Sequence, residues 1–368
     1  MIIKELRLRN FRNFKNIHIT LNPKMNVITG NNGQGKTNLL ESLVFLSTTK
    51  SHRINDDKKL IMIGEDLANI DCLYNDNIDK RISAVIHQKG KTLLINKNPV
   101  QKSSEFVGLL NVILFSPSDI NIFNEAPRER RKVINLEITK VSKKYIDSLN
   151  KYHKLLKERN LALKRENIDN IYLNILENQL IDNQIIIINE RNNFIKIINE
   201  NINKYFKKLI NDDLKINIEY QSCIKINDEL KMKKDLKDMY INNFEKDKYN
   251  QLTNYGVHKD DILFKINDLN VNDFASQGQR RLVVMAFKLS LKDYIIKKTG
   301  KIPILLLDDV LSELDVNKQT NLLNCIDDNI QTIITTSVLS NSLKIINKEL
   351  NIQTIESGNI IKNKEVIK

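Results

Sequence analysis

Three short segments of this chain carry residue types that bind phosphate: Gly30–Thr37 (GNNGQGKT), Ala275–Arg281 (ASQGQRR) and Ile304–Asp315 (ILLLDDVLSELD). The first has the form G-x-x-x-x-G-K-[ST] at every fixed position. Gly30, Gly33 and Gly35 let the backbone turn its N–H groups inward around phosphate oxygens, and Asn31, Asn32 and Gln34 complete the nucleotide-binding loop. The N-terminus of the helix that follows adds partial positive charge. Lys36 is expected to reach the β- and γ-phosphates of ATP, and Thr37 to offer its hydroxyl to Mg²⁺. The third segment is an apolar run that stops at two carboxylates. Asp308 is placed to hold the Mg²⁺ shell, and Asp309 to orient or deprotonate an attacking water. Lys36, Asp308 and Asp309 are therefore the expected catalytic residues, with Thr37 and Asp308 as metal ligands.

The middle segment has a different use. Ser276, Gln277, Gly278 and Gln279 precede a helical run over Arg280–Ile296, so the Ser276 hydroxyl and the Gly278 and Gln279 N–H groups are expected to form a second anion site. A chain with one complete phosphate cradle has no internal need of a second. A symmetric dimer has one: each turn can cap the γ-phosphate held by its partner.

The elements that must position these groups can be read outward from them. Met25–Thr29 (MNVIT) reads as a buried strand before the loop, and Asn38–Leu46 has helical apolar spacing after it. Ile304–Leu307 reads as a central parallel strand whose C-terminal edge faces a ligand crevice. Leu93–Asn96 and Val112–Phe115 read as further strand pieces. From Pro127 to about Arg165, and again from Ile171 to Ile210, the pattern is helical. Each stretch is roughly 40 residues, or about 60 Å, and the two are expected to pair as an antiparallel arm with Glu166–Asn170 as the bend. A shorter helical region spans Asp228–Asn250. The expected organisation is an α/β head over residues 1–125, a helical arm over 126–250, and the rest of the head over 251–368.

Composition adds bounds. At 368 residues the chain holds one large or two medium domains. The net charge of +13 suits a nucleic-acid partner, but only 13 of the 58 basic residues are arginine, and Lys, Asn and Ile are raised throughout. Cys72, Cys223 and Cys325 are scattered with no C-x-x-C pair, which argues against a zinc site or disulfide framework and for a reducing compartment. The longest apolar runs, Ile185–Ile188 and Ile302–Leu307, are too short for a bilayer. With no signal segment at Met1–Arg12, a cytoplasmic protein is expected.

The order of phosphate loop, Q-G-Q turn, LLLDD strand and Ser312-Glu313-Leu314-Asp315 resembles that of the ABC-type ATPases of DNA maintenance. Within them the chain resembles the RecF family. Leu6–Phe14 (LRLRNFRNF) is similar to that family's opening strand, and Phe115–Asp119, Pro127–Arg131 and Gly256–Asp261 are similar to further family motifs. The resemblance implies an ABC-type P-loop head with an inserted helical arm, and a weak ATPase used as a switch. It implies a homodimer that forms on ATP and clamps double-stranded or gapped DNA. It also implies RecR and RecO-type partners and help in loading the recombinase RecA at single-strand gaps. The competing readings are an SMC-like DNA-organising head, a transporter-type ATPase subunit and a nuclease-linked head. The insertion is too short for an SMC bridging arm, a transporter subunit lacks an arm there, and about 50 residues after Asp315 leave no room for a nuclease domain.

Two departures from the wider pattern bear on rate. The first acid pair is Asp-Asp rather than Asp-Glu, which draws the base back by one methylene. Thr336-Ser337 stand where the general pattern has a switch histidine. Slow hydrolysis is expected. For DNA contacts the densest basic cluster is Arg128, Arg130, Arg131 and Lys132, which could equally brace the head against the arm. His258 reads either as a nucleotide sensor or as a surface residue. Arg53 is a candidate for ATP or DNA contact, and Gln88, Gln101 and Asp119 are equal candidates for the loop residue that couples metal to arm.

Overall fold

A computed structural model describes residues 1–210, 213–339, 343 and 349–367. The chain forms two units: residues 1–120, 204–213 and 281–368 make the first, and residues 121–203 and 214–280 the second.

The first unit holds two six-stranded sheets. One runs in the order Asn359–Ile367, Leu350–Glu356, Met25–Thr29, Thr332–Thr336, Ile304–Asp308, Val112–Phe115. Its last five strands are parallel, and Met25–Thr29, Thr332–Thr336 and Ile304–Asp308 are buried along nearly their whole length, as strands covered on both faces are. Register places the chemistry: Asp308 lies beside Thr335, and Thr335 beside Ile28. The phosphate loop and the two carboxylates therefore leave the same edge of the sheet, one strand apart. The second sheet is antiparallel, in the order Phe14–Thr20, Ile2–Phe11, Leu67–Asp76, Ile78–His87, Gly90–Ile95, Asn98–Pro99. Between them the helix Lys36–Thr48 is buried almost all round. Leu39, Leu40 and Leu43 join Leu6, Phe14, Ile70, Leu114 and Leu306 in one core. A helix apolar on every side is stable only when enclosed in this way.

The second unit contains helices Pro127–Thr139, Lys143–Ala162, most of Asn170–Ile210, Glu229–Asn242 and Phe244–Asn250. It also holds a three-stranded sheet, ordered Leu269–Asn270, Asp261–Ile266, Ile216–Gln221. Two expectations are corrected here. The first arm helix is broken: Ser142 accepts a hydrogen bond from the Tyr145 N–H and starts a new helix, leaving 13- and 20-residue pieces. Only Asn170–Ile210, at 41 residues, has the expected length. The insertion also ends near residue 280 rather than 250. Asp261–Ile266 pairs with Ile216–Gln221 inside the insertion, and Asn199 and Asn203 hold that strand's free edge by bonding the Ile218 and Ile216 backbones. The Ser276–Gln279 turn consequently belongs to the second unit. No helix among the described residues is long and apolar enough to cross a membrane.

Candidate nucleotide site

The phosphate loop is fixed by its neighbours as well as by its glycines. Gly35 has φ 107°, and a Cβ there would lie 2.6 Å from the Asn13 side chain and 2.8 Å from Phe14 Cζ. Asn13 Nδ2 donates to the Gln34 carbonyl at 2.9 Å and Asn13 Oδ1 accepts from Asn38 at 2.9 Å. Gln34 Oε1 accepts from the Ser357 N–H at 2.6 Å. The segment around Phe14 thus acts as a clasp on the loop, which gives its motif a physical reason. Asn31, Asn32 and Gly33 are exposed at the tip.

Lys36 is buried, and its ammonium donates to the Gly30 carbonyl at 2.6 Å and the Asn31 carbonyl at 3.0 Å. Burial holds its pKa below the usual lysine range, against the opposing pull of Asp309 and Asp308. Thr37 Oγ1 donates to Asp308 Oδ1 at 2.9 Å, and Thr335 Oγ1 donates to the same oxygen at 2.8 Å. Burial lifts the Asp308 carboxyl above its ordinary value despite those two hydrogen bonds, and the Asp309 charge adds to the lift. Asp309 has φ 52° and ψ 21°, with its N–H bonded to Thr335 O at 3.1 Å and Thr335 Oγ1 at 3.2 Å. Its Oδ1 is buried with no hydrogen-bond partner among the described residues. Two buried side chains that sequence reasoning did not single out support the site. Thr335 ties the two acids together. Glu41, fully buried, takes a forked pair from Arg12 at 2.9 and 2.8 Å and a hydrogen bond from Ser51. Burial pushes the Glu41 carboxyl up, but Arg12, Ser51 and Arg53 outweigh it and hold it low. The threonine pair closing the buried strand Thr332–Thr336, and an acid among the leucines of the helix Lys36–Thr48, were the available signals.

Arg53 is anchored beside the loop, donating to Asn38 Oδ1 at 2.9 Å. Thr336 Oγ1 donates to the Val338 carbonyl at 2.7 Å, and Ser337 is exposed. Of the three coupling candidates, Gln88 is exposed in the turn between Ile78–His87 and Gly90–Ile95, and Gln101 is exposed just after the edge strand Asn98–Pro99. Asp119 follows the strand paired with Ile304–Asp308, accepts from the Ser116 N–H at 2.8 Å and pairs with Lys288 at 3.0 Å. On the same helix Arg281 donates to the Glu313 carbonyl at 3.0 Å and pairs with its carboxylate at 3.3 Å.

In the second unit, the helix of the glycine turn starts at Gln277 rather than Arg280. Ser276 Oγ accepts from Gln279 N–H at 3.2 Å, and Gln279 Oε1 accepts from Ser276 N–H at 3.0 Å, a reciprocal cap. The Gln279 N–H, expected to face an anion, is bonded by Ser276 instead, while Ser276, Gln277 and Gly278 are exposed. The arginine cluster divides. Arg130 is buried in a forked pair with Asp261, both contacts at 2.8 Å, and Arg131 donates to the Asp260 carbonyl. Arg128 and Lys132 are exposed. His258 matches neither expectation. Its Nδ1 meets the Tyr152 hydroxyl at 2.6 Å and its Nε2 the Thr253 carbonyl at 3.0 Å, so it is an internal bridge of the second unit.

A family model described as the RecF/RecN/SMC N terminal domain matches residues 2–360. The DNA replication and repair protein RecF of Clostridium tetani is 38% identical over 369 residues, spanning 99% of this chain and 100% of that protein. RecF of Streptococcus pneumoniae is 37% identical over 364 residues, spanning 97% and 98%. A solved structure described as the recombination mediator protein RecF-ATP in the RecFOR pathway superposes with TM-score 0.91 at 30% identity, covering 98% of this chain and 97% of that one. The Smc head domain of Pyrococcus furiosus, at 16% identity and TM-score 0.57, shares the fold. The architecture is that of an ABC-type P-loop ATPase head.

Proposed function

This chain belongs to the RecF family, and on that premise we propose that it is an ATP-gated DNA clamp of recombinational repair and replication restart. The observation that carries the reading is the convergence of Lys36, Thr37, Asp308 and Asp309 at one sheet edge, together with a second, exposed phosphate-type turn at Ser276–Gln279. ATP binds through Gly30–Thr37. Lys36 exchanges its two loop carbonyls for phosphate oxygens, a better partner for a partly desolvated ammonium. The oxygen donors Thr37 Oγ1 and Asp308, with the unpartnered Asp309 Oδ1 beside them, are the hard ligands that suit Mg²⁺. Thr37 and Asp308 would hold the ion, which would neutralise phosphate charge. Asp309 orients the attacking water. Its short side chain and the hydroxyls of Thr336 and Ser337 in place of an imidazole support slow turnover.

The Ser276–Gln279 turn of a second copy closes on the γ-phosphate, with Ser276 Oγ and Gln279 N–H released from each other. If each closure contributes about 1.5–3 kcal/mol, as hydrogen bonds to charged groups do, two sites shift dimer formation by on the order of 10²–10⁴-fold. Hydrolysis then opens the clamp. DNA is held through phosphates, with exposed Arg128 and Lys132 as contributors, so binding is salt-dependent and blind to sequence. RecO- and RecR-type proteins are the partners, recombinase loading at single-strand gaps is the outcome, and the cytoplasm is the setting. Fluorescence anisotropy with duplex and gapped DNA tests the reading. Binding should require ATP and weaken steeply with salt; ATP-independent binding, or one favoured sequence, would contradict it.

A further inference from the structure

The surface formed by Phe244–Tyr255 presents aromatic rings to solvent on a base fixed from beneath. Asp247, 1% exposed, is the hub. Its Oδ2 accepts from Arg159 Nη1 at 2.8 Å, and its Oδ1 accepts from Asn254 N at 2.9 Å and Nδ2 at 2.8 Å. Arg159, itself fully buried, also donates to Thr253 Oγ1 at 2.8 Å and to Glu177, and its guanidinium stacks 4.7 Å from the Tyr240 ring centre. Asn160 Oδ1 accepts from both the Thr253 N–H and hydroxyl. Buried pairs of this kind contribute little net stability, and their best-attested use is to specify one conformation. Here the conformation specified is that of a surface segment.

That segment shows Tyr249 at 89% exposure, Leu252 at 53% and Tyr255 at 39%. Large apolar groups gathered in the open mark a binding surface more often than chance. Lys246 contacts the Tyr255 ring. It lies three residues before Tyr249 on the same helix face, and its ammonium stands 5.2 Å over the Tyr255 ring and donates to the Tyr255 hydroxyl at 3.2 Å. Lys248 is exposed as well. Of the two acids in the segment, Asp247 is buried against Arg159, which leaves Glu245 as the exposed one. The chemistry on offer is flat rings flanked by ammonium groups.

We propose that Tyr249 and Tyr255, with Lys246 and Lys248, form a platform for single-stranded nucleic acid, on which the unpaired stretch of a gapped DNA rests. The proposal builds on the reading of the chain as a DNA-binding repair ATPase. Unpaired bases offer π-faces that stack on tyrosine without regard to sequence, while lysines follow the phosphates. In a duplex those faces are already stacked, so a duplex partner gives the rings nothing to hold. An acidic peptide would use the lysines and leave the rings idle.

The test uses the full chain with ATP and Mg²⁺, and fluorescent oligothymidylate, gapped duplex and continuous duplex as probes. Tyr249→Ala/Tyr255→Ala should lose about 10-fold or more in affinity for oligothymidylate and lose any preference for gapped over continuous duplex. Its affinity for continuous duplex and its melting temperature should stay unchanged. Tyr249→Phe/Tyr255→Phe, which keeps both rings, should bind as the parent does. An alanine variant that binds oligothymidylate normally would overturn the platform and assign the surface to a protein partner. So would a phenylalanine variant as weak as the alanine one. If the parent chain binds continuous duplex but not oligothymidylate, the platform alone falls. If it binds no DNA at all, the DNA-clamp reading falls with it.

Discussion

Asp309 is the residue whose backbone departs furthest from ordinary geometry among the site's acids. A non-glycine residue at φ 52° costs about 1–2 kcal/mol relative to the right-handed region. Thr335 holds it there through two bonds to its N–H. The strain turns the Asp309 carboxylate to where one oxygen is buried and unpartnered, as a group meant for a transient ligand would be. Asp309→Asn should therefore keep ATP binding and lose about 10²–10⁴-fold in single-turnover phosphate release. Release at the parent rate would remove Asp309 from the chemistry. The arginine cluster gives a contrasting prediction. Arg130→Ala removes a buried guanidinium and leaves the half-buried Asp261 carboxylate without its forked partner, which should cost about 1–3 kcal/mol in denaturant unfolding. Arg128→Ala and Lys132→Ala should leave stability alone and weaken DNA binding with a shallower salt slope. Equal stability losses across the three would contradict the division. Sequence spacing exposed Gly30–Thr37 and Asp308–Asp309 because their chemistry is local to each segment. Thr335 and Glu41 stayed hidden because their roles come from neighbours: Thr335 acts through sheet order, and Glu41 through a partner 29 positions away.

At the level of elements, His258 shows how a motif residue can serve the scaffold. Its Nδ1 accepts from the Tyr152 hydroxyl while Nε2–H donates to the Thr253 carbonyl, an arrangement that needs the neutral ring. Burial pulls its pKa down to about 4 from an ordinary 6.5. Between those values the unfolded chain binds more protons than the folded one, so stability falls as pH drops through 6.5 and the loss ends near 4. One such group gives a slope of up to about 1.4 kcal/mol per pH unit. His52, also pulled to about 4 by burial, acts with the same sign. Denaturant unfolding of His258→Gln at pH 7.5 and 5.5 should show a smaller pH difference than the parent; an identical difference would mean His258 does not titrate in this range. Element types were mostly legible: the strand Met25–Thr29, the strand Ile304–Asp308 and the long helix from residue 170 follow from apolar period alone. The break at Lys140–Ser142 was not, because one serine cap is a weak signal inside a helical pattern. The insertion's end was not either, because it depends on which strand Asp261–Ile266 pairs with, a long-range choice.

For the whole molecule, the two phosphate-type turns have different states in the single chain. The Gly30–Thr37 loop is clasped and complete, whereas Ser276 and Gln279 cap each other on an exposed surface. A dimer that forms only when ATP bridges one turn to its partner's loop gives both a use. Light scattering of the full chain, with and without ATP and Mg²⁺, tests this most directly when run beside Lys36→Ala and Ser276→Arg. The parent should be monomeric without ATP and dimeric with it. Lys36→Ala should bind no ATP and stay monomeric, and Ser276→Arg should bind ATP yet stay monomeric. ATP-dependent dimers of Ser276→Arg, or a parent that is equally dimeric without nucleotide, would contradict the account.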